Sequence, residues 1–266
     1  MGTDPDPLAV EHVAGEVAQL LGPWPDPRHM LARRIRVATV QGPAALVLGS
    51  TQGRARAASA PAPRGTLAQS SGALAPSSGA PGASGGLAPG LLRRRGGGGA
   101  VLVAPGAQLW IDLWLPRTDV RWEDDVITGV RWIGEAWARA LGEAGLDGLD
   151  VHRGPSRGGL LAASVCFAGV GPGEVVVGDP VRKVMGLSQH RSRPGARIQM
   201  LAVRHWDPDT IVHHLCRTGL LDLVHAARYV EAARPRAAGL AELGMWPPHC
   251  DQPEWLDAVV AQLAAG

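Results

Sequence analysis

The sequence is almost devoid of lysine. Among its 26 Lys and Arg residues only Lys183 is a lysine, so nearly every basic side chain is a guanidinium. Acidic residues are absent between Asp26 and Asp112, a stretch that contains many arginines. The net charge is only +2, which argues against a general nucleic-acid-binding protein. The uncompensated positive charge of this stretch fits either a solvated arginine-rich surface or a site for a phosphate or carboxylate.

Cysteine is scarce as well. The three cysteines are widely spaced and form neither a CxxC pair nor a disulfide framework, which is typical of a protein of the reducing cytoplasm. No basic segment leads into an apolar one at the N-terminus, and no apolar run reaches the length of a membrane span. We therefore expect a cytoplasmic protein with neither a membrane nor a nucleic acid as its partner.

The histidines predict no metal centre. His213, His214 and Cys216 lie close together in the sequence HHLC, and His249 precedes Cys250, but no zinc-ligand spacing is matched. Positions on the surfaces of helices explain these residues. We therefore expect no metal-ligating cluster.

Hydrophobic periodicity divides the chain into strands and helices. Residues 7–21 place apolar side chains at helical spacing, and residues 124–146 carry the strongest helical pattern, with Asp124 or Asp125 as its N-cap. Hairpin-length connections between strands predict an α+β fold with mostly antiparallel pairing and one long helix in the middle, followed by a helical C-terminal tail. Strands are predicted at 34–40, 44–50, 100–105, 109–115, 149–152, 163–169, 174–177, 181–191 and 196–203, and helices from 207 onward, closing with 253–265.

Residues 53–92 differ from the rest of the chain in composition. They are rich in Ala, Ser, Gly and Pro and contain no aromatic and no acidic residue. Such a segment cannot bury enough apolar area to offset the entropy lost on ordering. We interpret it as a disordered insertion within one domain.

The sequence RRRGGGGAV, residues 93–101, follows this segment. Four successive glycines let backbone N–H groups approach a ligand closely, and the neighbouring arginines add positive charge. The loop leads into a strand, which excludes a phosphate loop of the GxxxxGK[ST] type. The alternative interpretation is a flexible end of the preceding insertion.

The only lysine lies in a predicted hairpin, EVVVGDPVRKVMGLSQ. Strand alternation places Lys183 on the same face as Met185 and Leu187, among apolar side chains. A lysine there either extends its ammonium group outward to solvent or contacts a bound ligand, and we favour the ligand. An ammonium group is a compact charge, whereas a planar guanidinium is wider, which explains why arginine does not occupy this position. Gly186 leaves room for a ligand over the strand.

Cys166 lies in the predicted strand ASVCFAG, upstream of Lys183. Most cysteines in strands are buried structural thiols. The alternative is a nucleophile activated by neighbouring cations.

Together these segments resemble the lipoate–protein ligase family, within the biotin/lipoate protein ligase catalytic fold. ALVLGSTQ (45–52) is similar to that family's strand and Gly-x-x-Gln turn, and RRRGGGGAV to its Arg-Arg-x-Ser-Gly-Gly-Gly-Ala loop. RKVMGLSQHR is similar to its Gly-Lys-Lys-x-x-Gly-Ser-Ala strand, whose lysine matches Lys183. Two departures are that Gly96 stands in the serine position and that LVAPG replaces the His-Asp that often follows the glycines. The resemblance implies a mixed sheet flanked by helices, with a catalytic domain in 1–206 and a helical C-terminal extension in 207–266.

The resemblance also implies an activity. A ligase of this family uses ATP and Mg²⁺ to convert lipoate or octanoate to an acyl-adenylate. A lysine of a lipoyl domain, in a 2-oxoacid dehydrogenase or the glycine cleavage H protein, then attacks the adenylate. Lys183 would contact the activated carbonyl. The residues implied to bind the acyl group and its carboxyl or adenylate end are Arg94, Arg95, Gly97, Gly98, Gly99, Ala100, Gly186 and Ser188.

Two other functions remain open at this point. Related octanoyltransferases need no ATP and carry the acyl group as a thioester on a cysteine upstream of the matching lysine, which makes Cys166 the second candidate catalytic residue. A non-catalytic acyl-binding module is the third possibility, prompted by Gly96 and the missing His-Asp.

Overall fold

The computed structural model describes residues 9–26, 29–52, 89–248 and 251–266. Within these ranges the strands form one seven-stranded sheet, in the order β1-β2-β6-β10-β9-β8-β7, and one three-stranded sheet, in the order β4-β3-β5. The strands are β1 (Ala9–Gly15), β2 (Arg34–Val40), β3 (Ala45–Leu48), β4 (Gly90–Arg93), β5 (Val101–Val103), β6 (Gln108–Pro116), β7 (Leu149–Val151), β8 (Val175–Val177), β9 (Arg182–Ser192) and β10 (Gly195–Val203).

The pairing of the strands confirms the predicted mixed, mostly antiparallel sheet. Only β1 with β2 and β3 with β4 run parallel, and the other named pairs are antiparallel. The helices are α1 (Val17–Leu20), α2 (Arg131–Glu143), α3 (Gly159–Ser164), α4 (Pro208–Arg217), α5 (Ala226–Ala233) and α6 (Leu256–Ala265). No helix within the described ranges is long and apolar enough to cross a membrane.

Strand alternation builds the layers. Along β6, Leu109, Ile111 and Leu113 face the core that α2 and α6 cover, whereas Trp110 faces the small sheet. Val47, on β3 of that small sheet, packs in the same buried cluster as Trp110. The outer face of the small sheet packs under α4. The candidate site forms where the two sheets separate.

Two of the predicted elements are wrong. Residues 9–15 form an edge strand parallel to β2 rather than part of a helix, and only Val17–Leu20 is helical. The free edge of β2 offers a full row of backbone partners, and this tertiary pairing overrides local periodicity. The predicted strand 163–169 is the end of α3 followed by a 3-10 turn at Cys166–Ala168.

The predicted insertion 53–92 lies mostly outside the described residues. Its last part, however, belongs to β4, which pairs with β3 from Ala45↔Gly90 to Leu48↔Arg93. The strongest predicted helix, 124–146, is shorter as α2. The predicted N-cap is wrong, because Val130 and neither Asp124 nor Asp125 precedes α2. The Asp125 carboxylate accepts instead from the backbone N–H groups of Ile127 and Thr128 at 2.8 Å each, in the turn before the helix.

Candidate active site

Lys183 lies on β9 with its side chain fully buried, only 1% of the residue being exposed. Its Nζ donates to the carbonyl oxygens of Cys166 at 2.9 Å and Gly169 at 3.2 Å. It also pairs with the carboxylate of Glu174 at 2.8 Å. The three hydrogens of the ammonium group therefore have three oxygen acceptors. The ring of Phe167 lies 5.0 Å from the same nitrogen.

Glu174 was not anticipated from the sequence. It immediately precedes β8, and its carboxylate accepts from the backbone N–H groups of Gly171 at 2.6 Å and Leu187 at 2.9 Å. The N–H of Leu187 needs this acceptor because β8 begins only at Val175, which pairs with Met185 and leaves the next part of β9 without a strand partner on that side. One signal was available: Glu174 is an acidic residue at the start of the strand that forms a hairpin with the strand of the only lysine.

The charges around Lys183 keep it protonated. Burial alone would lower the pKa of Lys183, but attraction to Cys166 and to the Glu174 carboxylate outweighs burial and raises that pKa above its usual value. Arg94 acts in the opposite direction as a like charge. Lys183 is therefore a fixed cation and not a proton acceptor at neutral pH.

Cys166 begins the 3-10 turn that follows α3, and its sulfur lies 3.9 Å from Nζ of Lys183. Its backbone N–H donates to the carbonyl oxygen of Ala100 at 2.9 Å, and the N–H of Ala100 donates back to Ser164 at 2.8 Å. These two bonds attach residues Cys166–Gly169, the cysteine turn, to the end of the loop that contains Gly96–Gly99, the glycine loop. The two residues that the sequence offered as catalytic are thus adjacent in space.

Arg94 does not point its guanidinium group toward an open site. Its donors bond the carbonyl oxygens of Gly97 at 2.6 Å and Gly99 at 2.9 Å, and the hydroxyl of Ser188 at 3.2 Å. Burial lowers the pKa of Arg94, which the charges of Cys166 and Glu174 partly offset. Because Arg94 holds the carbonyl groups of the loop, its role in the structure is to shape the loop.

Close packing explains the glycines of this loop. A Cβ on Gly99 would lie 2.6 Å from the backbone nitrogen of Cys166, and a Cβ on Gly96 would lie 2.1 Å from the hydroxyl oxygen of Ser188. Gly98 has a φ of 94°, which favours glycine. Ser188 therefore occupies the space that a serine at position 96 would need. Arg95 is exposed and lies near His190, whose pKa is lowered by burial and by that guanidinium.

The absence of a side chain at Gly186 leaves space for the side chain of Lys183. A Cβ there would lie 3.0 Å from Cε and 3.3 Å from Nζ of Lys183. The space over the strand that we expected to hold a ligand is crossed by the Lys183 side chain.

Two cavities meet beside the cysteine. One is a narrow apolar pocket of ≈ 40 Å³ between the two sheets, and the other is an open polar cleft of ≈ 470 Å³ that contains Lys183, Glu174 and the glycines of the loop. Cys166, Leu187 and Ser188 line both of them. Other residues that line the apolar pocket are Val47, Val101, Val103, Trp110, Phe167 and Leu201.

Metal ligation has no support in the part of the chain that the structure describes. There, no group of three His, Cys, Asp or Glu side chains is placed to hold a metal ion. His213, His214 and Cys216 lie along α4, whereas His249 and Cys250 lie outside the described residues.

Comparison with known proteins supports the fold. No protein-family model matches the sequence, and no curated protein sequence is similar to it. Solved structures do match. A bipartite lipoate protein ligase from Thermoplasma acidophilum, studied with its E2 lipoyl domain, is 14% identical with a TM-score of 0.57, over 97% of this chain and 83% of that one.

Two further structures agree. A lipoate-protein ligase A bound with ATP is 16% identical with a TM-score of 0.57, over 98% of this chain and 85% of that one. A T. acidophilum protein with bound lipoic acid is 15% identical with a TM-score of 0.53, over 98% of this chain and 86% of that one. The chain thus has the α+β fold of lipoate–protein ligases.

Proposed function

We propose that the protein transfers a lipoyl or octanoyl group to a lysine of a lipoyl carrier domain. The observation that carries this proposal is the position of the Cys166 sulfur, which lies where the apolar pocket meets the polar cleft and 3.9 Å from the Lys183 ammonium. Two similar structures, one with bound lipoic acid and one studied with an E2 lipoyl domain, support the substrate class.

Each of the two cavities binds a different part of the substrates. The apolar pocket takes the hydrocarbon chain, since each buried CH₂ group contributes about 0.8 kcal/mol. The pocket has to widen to take an acyl chain, because its volume is ≈ 40 Å³. The polar cleft receives the incoming lysine of the carrier domain. The acyl carbonyl then lies at the junction, within reach of Cys166.

The geometry supports a thioester route best. The sulfur of Cys166 attacks the carbonyl of an acyl thioester donor; the new S–C bond forms, the donor S–C bond breaks, and the thiol proton passes to the departing donor thiol. The amine of the carrier lysine then attacks the enzyme thioester. A C–N bond forms, the Cys166 S–C bond breaks, and the proton lost by the amine returns to the sulfur.

Lys183 contributes electrostatics to both steps. Its fixed ammonium group lies next to the sulfur and stabilises the negative charge that develops on the sulfur and on the attacked carbonyl oxygen. Because the ammonium already has its three acceptors, its position does not have to change during the reaction.

An ATP-dependent ligase is the competing candidate. The glycine loop that Arg94 shapes lines a cleft of ≈ 470 Å³, and one similar structure is bound with ATP. In this route the carboxylate of the free acid displaces pyrophosphate from ATP, and the carrier lysine displaces AMP from the acyl-adenylate. Mg²⁺ fits poorly here: the one carboxylate among the described residues lining the cleft is Glu174, which is committed to Lys183.

Intact mass of an apo-lipoyl domain separates the candidates. The domain, taken from a 2-oxoacid dehydrogenase or a glycine cleavage H protein, is incubated with the protein and either an octanoyl thioester alone or octanoate, ATP and Mg²⁺. Modification with the thioester alone supports the proposed route. Modification only with ATP supports the ligase, and no modification in either mixture supports a non-catalytic acyl-binding module.

A further inference from the structure

The ion pair between Lys183 and Glu174 is unusual in its surroundings. Both side chains are nearly fully buried, with relative exposures of 2% and 5%. Removing two charges from water is costly, and apolar residues of similar volume often stabilise a fold equally well. Both residues line the polar cleft, and Nζ of Lys183 lies 3.9 Å from the sulfur of Cys166, which lines both cavities.

The carboxylate accepts from three donors and joins two pieces of the site. It accepts from the lysine on β9, from the backbone of Leu187 further along β9, and from the backbone of Gly171 after the cysteine turn. The ammonium in turn bonds the carbonyl oxygens of Cys166 and Gly169 within that turn. Glu174 therefore fixes the distance between the turn that carries the thiol and the strand that carries the cation.

We infer that Glu174 is a positioning residue that holds the ammonium group of Lys183 beside the Cys166 sulfur, at a distance of 3.9 Å. This inference rests on the proposed function, in which that thiol carries the acyl group. The groups that face the ammonium are the carboxylate of Glu174, the thiol of Cys166 and the guanidinium of Arg94. Without the carboxylate, burial and the like charge of Arg94 act more strongly against the ammonium, so the pKa of Lys183 falls and Nζ loses the acceptor that holds it in place.

Alkylation of Cys166 by iodoacetamide tests this without any acyl substrate. In a background with Cys216→Ser and Cys250→Ser, only Cys166 reacts. We expect Glu174→Gln to slow alkylation at pH 7 by roughly tenfold, because the sulfur loses its cation.

The matched control is Glu242→Gln. Glu242 also accepts from two backbone N–H groups, those of Trp206 and Gly239, and from the basic side chain of His205, away from the cleft. Its alkylation rate is expected to equal that of the parent protein. Equal rates for Glu174→Gln and Glu242→Gln would overturn the inference.

A double variant separates positioning from simple loss of structure. If Glu174 acts through Lys183, then Lys183→Met slows alkylation as much as Glu174→Gln, and combining the two slows it no further. The double variant also removes both buried charges together, so it folds even if one single variant does not. Additive effects of the two substitutions would contradict the inference. If the variants slow alkylation as expected but the parent protein transfers no acyl group, the proposed function is rejected and the inference about Glu174 stands.

Discussion

At the scale of single residues, the contacts of Lys183 explain why the only lysine of the chain stands where it does. Its three ammonium hydrogens meet three oxygens, while Gly186 and Phe167 close around its stem. A guanidinium has five donors in a wide planar fork and finds neither the space nor the acceptors here. The sequence pattern predicted a lysine with a special role, but its carboxylate partner depends on hairpin register.

Lys183→Arg is therefore expected to abolish acyl transfer. The larger group overpacks the site and lowers the free energy of unfolding by about 1–3 kcal/mol. Urea unfolding together with the carrier-domain mass assay checks both parts. Transfer at the rate of the unmodified protein would show that only the positive charge matters.

Lys183 also predicts how stability depends on pH. Its pKa is raised above the ordinary value of 10.5, so its contribution to folding is complete below that pH and is lost as pH rises through the folded-state pKa. The free energy of unfolding of Lys183→Met should fall less steeply above pH 10.5 than that of the unmodified protein. Urea titrations across this range measure the slopes. Parallel slopes would contradict the assigned ion pair.

At the scale of elements, the glycine loop and the cysteine turn act as one unit. The sequence predicted that the loop needs glycine for close approach, and the close neighbour turns out to be the backbone of Cys166. The element carrying Cys166 could not be predicted correctly. VCFAG has strand-like composition, but the backbone N–H of Cys166 bonds Ala100 at the end of the glycine loop, a residue distant in sequence.

A pair of alanine substitutions tests this unit. Gly99→Ala would place a methyl group 2.6 Å from the Cys166 nitrogen, so we expect the protein to lose about 1–3 kcal/mol of stability and most of its activity. A Cβ on Gly97 meets nothing within 4 Å, so Gly97→Ala should unfold within about 0.5 kcal/mol of the unmodified protein. Thermal melts compare the two. Equal stability of both variants would mean that the loop and the turn are not packed as described.

At the scale of the whole molecule, layered packing places the site between two sheets that are distant in sequence. Strand patterns predicted strands with mostly antiparallel pairing, because alternation is a local property, and the family resemblance implied the mixed sheet. They did not predict the separate small sheet, since β3 and β4 pair across the segment 53–88. The C-terminal helix α6 belongs to the same core as α2, as Leu263 and Trp137 show.

We propose that the segment 53–88 contributes nothing to folding beyond connecting β3 to β4. These strands are parallel, and a connection between parallel strands needs about twelve residues. Replacing 53–88 with a flexible linker of about that length should leave the melting temperature and the transfer rate unchanged. A large loss of stability would assign the segment a structural role.

The most direct test of the account is the mass of the protein itself after brief exposure to an octanoyl thioester without ATP. We predict a mass increase of one octanoyl group, reversed by hydroxylamine, present in Cys216→Ser and absent in Cys166→Ala. Loss of the adduct on adding an apo-lipoyl domain should accompany acylation of that domain. An unmodified protein, or full acylation of the domain by Cys166→Ala, would contradict the central claim that the Cys166 thiol carries the acyl group.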